Sequence, residues 1–446
     1  MTTSVRGPAQ DTTDRARSRR ALVAGSVGNF IEWYEFGVYG CFATIIAANF
    51  FTPEGGSDLE GLIKTYASFA LAFFFRPIGA AVFGRVGDRI GRRPTLILVV
   101  LLMTGATTLI GVLPTYATVG AVAPWLLTLL RVLQGLSAGG EFGGAVSVMT
   151  EFAPPGRRGL YGSWQSFTVA LGLLGGAGTA ALLAALMTAS DLQAWGWRVP
   201  FLLALPLGLA ALWLRLRLEE TPSFERASAG LSDPAVDPDA LRASRTPRGE
   251  VIQAIVLGAG RLMGWSAAGY TFLVVMPAYL QSSLNATFQQ ALVATVLANL
   301  GFAVSIIPAG LLSDRIGRRA VMLAGAALVT LLALPLLNLL QDPGAPEAMK
   351  AVAVTVAGAV VGLMAGPGPA MLAEMFPTRV RCTGLGLAYS LSNAVFSGSA
   401  GLIITELIKR TSNVDIPAYY VVATCVVSVL ALLTLRGDDH RRALRD

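Results

Sequence analysis

Histidine is almost missing from this chain: His440, close to the C-terminus, is the sole one. Cysteine is nearly as scarce, and Cys41, Cys382 and Cys425 lie in or beside different hydrophobic stretches with no metal-ligand spacing. These shortages exclude a zinc site, a Cys–His nucleophile and a histidine proton relay. A phosphate-binding loop needs glycine directly before Lys-Ser/Thr, whereas Lys64-Thr65 follows Ile63. Direct ATP hydrolysis is excluded on that reading, so any uphill work must draw on an ion gradient. No cofactor is expected. The run Gly172, Gly175, Gly176, Gly178 is only loosely like a dinucleotide loop; it sits inside an apolar stretch, where close helix packing explains it better.

Charge is thin at 14% of residues, against 54% hydrophobic, and mean hydropathy is +0.61. A membrane span needs about 20 apolar residues. Twelve such stretches are expected, at roughly 20–47, 62–84, 95–114, 121–151, 159–189, 196–217, 251–281, 288–312, 320–340, 348–375, 382–408 and 417–435. The first 19 residues are polar and Arg-rich with no small-residue cleavage site after them, which reads as a retained span rather than a signal peptide. The net charge of +7 does not indicate nucleic acid, because the arginines occupy the N-terminus, every second connection and the tail. The alternate connections carry Glu54, Asp58, Glu60, Asp191, Asp342 and Glu347 instead. By the positive-inside rule both termini are cytoplasmic and the protein is a multi-pass protein of the plasma membrane.

Asp88-Arg89-Ile90-Gly91-Arg92-Arg93 recurs as Asp314-Arg315-Ile316-Gly317-Arg318-Arg319, 226 positions later in a chain of 446. A charged turn repeated at half-length points to an internal duplication, a plan common in membrane carriers. The polar stretch 219–250 separates the halves. The expected division is therefore a cytoplasmic tail 1–19, a six-helix bundle 20–218, a cytoplasmic linker 219–250, a second bundle 251–435 and a tail 436–446. Asp88 and Asp314 are suited to hydrogen-bond free helix amides or pair with an arginine of a neighbouring helix. With Gly84, Arg89, Gly91, Arg92, Arg93, Arg315 and Arg318 they form a candidate cytoplasmic gate. Anchoring to anionic lipid would explain the arginines but not the aspartates or glycines.

An ionisable side chain at membrane depth costs about 2.5–3.5 kcal/mol on insertion scales, so each one needs a reason. Glu32 and Glu35 share one face of span 1, with Glu32 near mid-depth. Burial favours a neutral carboxylic acid and a nearby cation favours the carboxylate, which together suit reversible proton binding; a fixed ion pair is the alternative. Arg76, Arg131 and Glu141 are the other ionisable groups deep in the first half, with Arg131 and Glu141 ten residues, about 15 Å, apart and unable to pair directly. Arg261 lies about ten residues into span 7. Candidate cavity residues are Asn29, Trp33, Tyr39, Trp164, Gln165, Tyr270, Asn299, Tyr389 and Asn393. Trp33, Tyr34, Tyr39, Trp164, Trp265 and Tyr270 offer material for an ammonium cage, although interfacial anchoring is the better reading for most of them.

Gly84 to Arg93 resembles the signature between spans 2 and 3 of the major facilitator superfamily. Further runs resemble its metabolite:proton symporter family: Gly28 to Gly40, Arg76-Pro77-Ile78-Gly79, Arg131 to Gly144, Trp195 to Phe201 and Glu374 to Arg381. The resemblance covers nearly the whole chain and implies an all-α integral membrane fold of twelve helices in two pseudo-symmetric six-helix bundles. It implies a proton symporter, not an enzyme, that imports a small polar metabolite by alternating access. Met276-Pro277-Ala278-Tyr279-Leu280 is more like the proline/betaine branch, while Ser390 and Gly401 depart from it. A di- or tricarboxylate or a shikimate-like acid is the alternative substrate; an exporter or a non-transporting sensor ranks lower. The tail ends at Asp446 without the long heptad-bearing extension of osmosensing members, so activation through that extension is not expected.

Overall fold

Apolar runs of this length can satisfy their backbone groups inside a bilayer only as helices or closed barrels, and the described chain is helical throughout. The computed structural model describes residues 26–52, 56–90, 92–151, 153–154, 156–216, 247–377, 381–437 and 441, except the side chains at 84–85, 87–90, 92–93, 96, 148, 151, 248 and 382. The first bundle holds α1 (26–51), α2 (Asp58–Ile90), α3 (Arg92–Val112), α4 (Val122–Ala138 continued by Glu141–Glu151), α5 (Arg158–Leu186) and α6 (Arg198–Leu216). The second holds α7 (Arg248–Tyr270, Thr271–Val275, Met276–Leu284), α8 (Phe288–Ile316), α9 (Arg318–Gln341), α10 (Glu347–Ala365, Gly368–Met375), α11 (Arg381–Ser392, Asn393–Gly398, Ala400–Thr411) and α12 (Ile416–Leu433). Among the described residues ten helices are long and apolar enough to cross a membrane, α3 offers the shorter apolar stretch Ile97–Val112, and α1 completes the twelve.

The duplication is visible in the packing. α2 lies on α4 and α3 on α6 in the first bundle, as α8 lies on α10 and α9 on α12 in the second. Both α2–α4 and α8–α10 are close-backbone crossings made by glycine. Gly135 and Gly139 of α4 lie against the backbone oxygens of Ala72 and Arg76, and Gly358 and Gly362 of α10 lie against those of Ala298 and Phe302. Ala72 to Ala298 and Arg76 to Phe302 are both steps of 226, the offset of the repeated hexapeptide. Where the first half carries Arg76, the second therefore carries phenylalanine.

The repeated hexapeptide is not the loop that its charge suggests. α2 and α8 run on through Ile90 and Ile316, and α9 restarts at Arg318. The break is one residue, Gly317, at φ +96°, a conformation open to glycine and strained for other residues. Solvated aspartate and arginine continue a helix beyond its apolar stretch, which is why the turn was read too long. α7 likewise begins at Arg248, inside the stretch expected as linker; residues 217–246, and with them most of 219–250, lie outside the described residues, as do the tail 1–19 and most of 436–446.

At the arginine-rich end the bundles are pressed together: α5 packs on α8 and on the last turns of α10, and the second half of α4 packs on the start of α11. At the opposite end a cavity of about 750 Å³ opens between α1, α2, α5, α7 and α8, lined in part by Thr44, Asp58, Gln193, Gln281 and Phe288.

Candidate functional site

The middle of the seam holds a charged chamber walled by aromatic rings. α1 contributes Glu32 and Glu35, α2 contributes Arg76 and α4 contributes Arg131, all at most 6% exposed. Arg76 Nη2 lies 2.9 Å from Glu32 Oε1, but its N–H directions miss the oxygen, so Nε and Nη2 have no hydrogen-bond acceptor in the protein. Its guanidinium lies over Phe73 at 4.1 Å, Phe36 at 4.6 Å and Trp33 at 5.8 Å. Arg131 lies over Tyr39 at 4.0 Å and within about 5 Å of Phe69 and Phe36. Each such cation–π contact contributes about 0.5–2 kcal/mol, enough in sum to hold a guanidinium whose donors are not all used.

Arg131 donates once, through Nη1 to Gln134 Oε1 at 2.6 Å, leaving Nε and Nη2 without acceptors. Gln134 in turn donates through Nε2 to Thr107 Oγ1 at 2.6 Å and to Glu35 Oε2 at 3.4 Å. Glu35 Oε1 and the Tyr270 hydroxyl are also without partners. Tyr270 comes from α7 and sets its ring 5.2 Å from Phe73 and 5.9 Å from Trp33, so the second bundle closes the chamber. Towards the arginine-rich end, Phe142 and Tyr389 stack across the seam at 3.5 Å, with Trp265 6.0 Å from Tyr389.

Of the residues expected from sequence, Glu32, Glu35, Arg76, Arg131, Trp33, Tyr39, Tyr270 and Tyr389 meet here. The expectation of interfacial anchoring fails for Trp33, Tyr34, Tyr39, Trp265 and Tyr270, which are 8% exposed or less; Trp164, 42% exposed and donating to Ser26 Oγ, fits it. Asn29 and Gln165 tie α1 to α5, with Asn29 Nδ2 donating to Thr168 Oγ1 at 2.7 Å. Asn299 donates to Leu273 O and Thr295 O, and Asn393 to Tyr389 O. Arg261 is not brought into the chamber: it reaches Ala431 O and Thr434 Oγ1 at the C-terminal end of α12, where free carbonyls and the helix dipole favour a cation. Glu141 forms an ion pair with Arg215 of α6. Arg215 was not anticipated, nor were Phe36, Phe69, Phe73, Gln134 and Phe142.

A second cluster joins the bundles at the arginine-rich end. Asp314 accepts from the backbone N–H groups of Gly159 at 2.7 Å and Leu160 at 2.9 Å, so the carboxylate caps the positive end of α5. Arg318 donates to Asp314 Oδ1 at 2.7 Å and, bidentately, to both oxygens of Glu374 at 3.0 and 3.3 Å. Arg158 of α5 lies 3.3 Å from the same Glu374. Gly159 and Gly310 let the backbones approach, since a methyl on either would meet the partner helix within 3 Å. Asp314 and Arg318 were expected here; Glu374 and Arg158 were not. Arg315 is exposed. The first copy of the repeat, through Asp88, Arg89, Gly91, Arg92 and Arg93, and with Gly84, falls on side chains outside the described residues.

Two helical bundles meeting around buried charges, with a separate cavity between them towards one end and an ion-paired cluster at the other, fit a membrane transporter rather than an enzyme. Residues 21–235 match the family described as "Sugar (and other) transporter" and residues 262–445 that described as "Major Facilitator Superfamily". The chain is 34% identical over 435 residues to the glycine betaine/proline/ectoine/pipecolic acid transporter OusA of Dickeya dadantii, covering 96% of this chain and 85% of that one. It is 34% identical over 440 residues to the inner membrane metabolite transport protein YhjE of Escherichia coli K12, covering 97% of each. In solved structures its fold matches the proton:xylose symporter XylE with a TM-score of 0.76 at 19% identity, over 94% of this chain and 95% of that one. The chain belongs to the major facilitator superfamily.

Proposed function

We propose that this protein is a proton symporter that imports a small zwitterion of the proline or glycine betaine kind. The observation that carries the reading is the mixed set of open groups in one aromatic chamber. Arg76 and Arg131 offer donors without acceptors, while Glu35 Oε1 is an acceptor without a donor. A substrate carboxylate suits the guanidiniums, and its ammonium suits Glu35 together with the faces of Phe36, Phe69 and Tyr270. A dicarboxylate would use both arginines and leave Glu35 facing a like charge. The names of the relatives, which include a transporter of glycine betaine and proline, support the same choice.

Coupling follows from the Glu32–Arg76 pair. A proton on Glu32 frees the Arg76 guanidinium for the substrate carboxylate, so substrate and proton load together. With the arginine-rich end taken as cytoplasmic, the Asp314–Arg318–Glu374–Arg158 cluster is the inner latch, and the cavity beside Thr44 and Gln281 is the outer vestibule. Breaking the latch and closing α1 against α7 would carry the chamber from one face to the other.

The test is uptake in proteoliposomes under an inward proton gradient, with labelled proline, glycine betaine, 2-oxoglutarate, citrate and shikimate. Concentrative uptake of a zwitterion, abolished by a protonophore, is expected, and Glu32→Gln should lose accumulation while keeping exchange. Uptake of a dicarboxylate alone would replace the substrate reading, and normal accumulation by Glu32→Gln would remove the coupling role of that residue.

A further inference from the structure

Below the chamber, between α1, α3 and α4, lies a second and much smaller cavity, with about 10 Å³ open to the centre of a water molecule. Its lining includes two carboxylates, Glu32 and Glu141, and the hydroxyls of Thr104 and Ser137. About 10–15 Å³ measured in this way suffices for one water, provided that two to four polar groups surround it. The Thr104 hydroxyl is buried with no partner in the protein. Gly28 fixes the spacing. It lies one turn before Glu32 on α1, and a side chain there would overlap both the Arg215 guanidinium and the Glu141 carboxylate. Glu141 is thereby held against α1 one helical turn, about 6 Å of rise, from the residue that bears the other carboxylate. The two carboxylates line the same cavity with no direct hydrogen bond between them, so a water in that cavity can bridge them.

We propose that this cavity is a one-water proton relay from Glu32 to Glu141, separate from the path of the substrate, and that Glu141 is the group releasing the proton at the arginine-rich face. The proposal rests on the symport reading above. Neutral Glu32 gives its proton to the water as the water gives one to the Glu141 carboxylate. Glu32 is left charged beside Arg76, while Glu141 becomes neutral and its ion pair with Arg215 is weakened. Loss of the proton from Glu141 to bulk water restores that pair. The charged and titratable groups acting on Glu32 are Arg76 of α2, Glu141 of α4 and Arg215 of α6, with Glu35 of its own helix and Tyr270 and Tyr389 across the seam. Of these groups Glu141 is the one that shares the small cavity with Glu32 and pairs with Arg215, close to the end of α6. Arg215 then has a positioning role: it holds Glu141 against Gly28 in its charged form and lets go of it when the proton arrives.

The test uses the full chain in proteoliposomes with a pH dye in the lumen. Substrate-driven proton flux and counterflow exchange are measured for Glu141→Gln, Thr104→Val and Glu32→Gln. Glu141→Gln is expected to keep counterflow within about three-fold and to lose at least about ten-fold of proton-driven accumulation. Thr104→Val, which keeps the shape but removes the hydroxyl, should slow proton flux several-fold without raising the substrate KM. Full coupling in both variants, with coupling lost in Glu32→Gln, overturns the relay and leaves the symport reading standing. Full coupling in all three overturns both. Loss of counterflow together with coupling in Glu141→Gln, with Thr104→Val unaffected, makes Glu141 a structural partner of Arg215 and also overturns the relay.

Discussion

The groups around Arg131 and the groups around Glu374 are about equally buried, yet their bonding is opposite. In the chamber Arg131 uses one of its nitrogens, and Arg76 faces Glu32 at a good distance with poor alignment. In the latch Arg318 engages all three of its nitrogens, and Asp314 receives two backbone N–H groups as well as that arginine. An unmet buried donor costs about 1–3 kcal/mol, so a chain does not keep several in one place without use for them. The aromatic faces over both chamber guanidiniums make that cost bearable while leaving the N–H groups open. In the latch the charge is spent on holding two bundles in one arrangement. On the function proposed above, one cluster is incomplete because a substrate completes it, and the other is complete because it has to hold, and then break.

The same substitution placed in each cluster separates these roles. Arg131→Lys keeps the charge but loses the flat guanidinium over Tyr39 and its open fork of donors. The expected result is a rise in substrate KM of about ten- to hundred-fold, equivalent to ~1.4–2.8 kcal/mol, with the distribution between the two open states unchanged. Arg318→Lys loses the bidentate grip on Glu374 and should move the distribution by about ten-fold towards opening at the arginine-rich end, worth ~1.4 kcal/mol. Labelling of a single cysteine introduced on that face reads the change. If Arg131→Lys moved the labelling and Arg318→Lys moved only KM, the two clusters would have to exchange roles.

Asp314→Asn tests the latch from the other side. It keeps a group that can accept from the amides of Gly159 and Leu160, but removes the charge facing Arg318 and the α5 terminus. A smaller shift, of about three- to ten-fold in labelling, is expected, since a helix-terminus charge contributes about 0.3–2 kcal/mol. Gly310→Ala should act in the same direction, because its methyl would meet Ser163 at 2.6 Å across the seam. Gly358→Ala, at a crossing inside one bundle, should lower thermal stability with no change of labelling.

Much of this was legible in the chain. Hydropathy found the twelve spans, the repeated hexapeptide found the halves, and the cost of burying charge pointed to Glu32, Glu35, Arg76 and Arg131. What stayed hidden depends on contacts distant in sequence. Glu374 and Arg158 are 216 positions apart, and nothing periodic links them. Arg215 looks like one of several arginines at a helix end, and only the absence of a side chain at Gly28 gives its buried position away. Arg261 does not join the chamber because its side chain reaches the end of α12, a partner 170 positions away that depth along α7 does not reveal. The aromatic residues were misread because a ring at an interface and a ring stacked on a buried guanidinium look alike in sequence.

The smallest effect should come from a second ion pair between the bundles, at the end opposite the latch. Lys409 Nζ of α11 lies 3.1 Å from Glu60 Oε1 of α2, with the two side chains 39% and 53% exposed. Water and salt screen such a pair, and a long lysine loses conformational freedom in forming it. Glu60→Gln should therefore change uptake by less than about three-fold at low salt, and the difference should vanish as ionic strength rises. Arg318→Lys should keep its effect across the same salt range, because its partners are shielded from solvent. An effect of Glu60→Gln as large as that of Arg318→Lys, and as indifferent to salt, would mean that burial does not distinguish the two ends, and that both are latches of one kind.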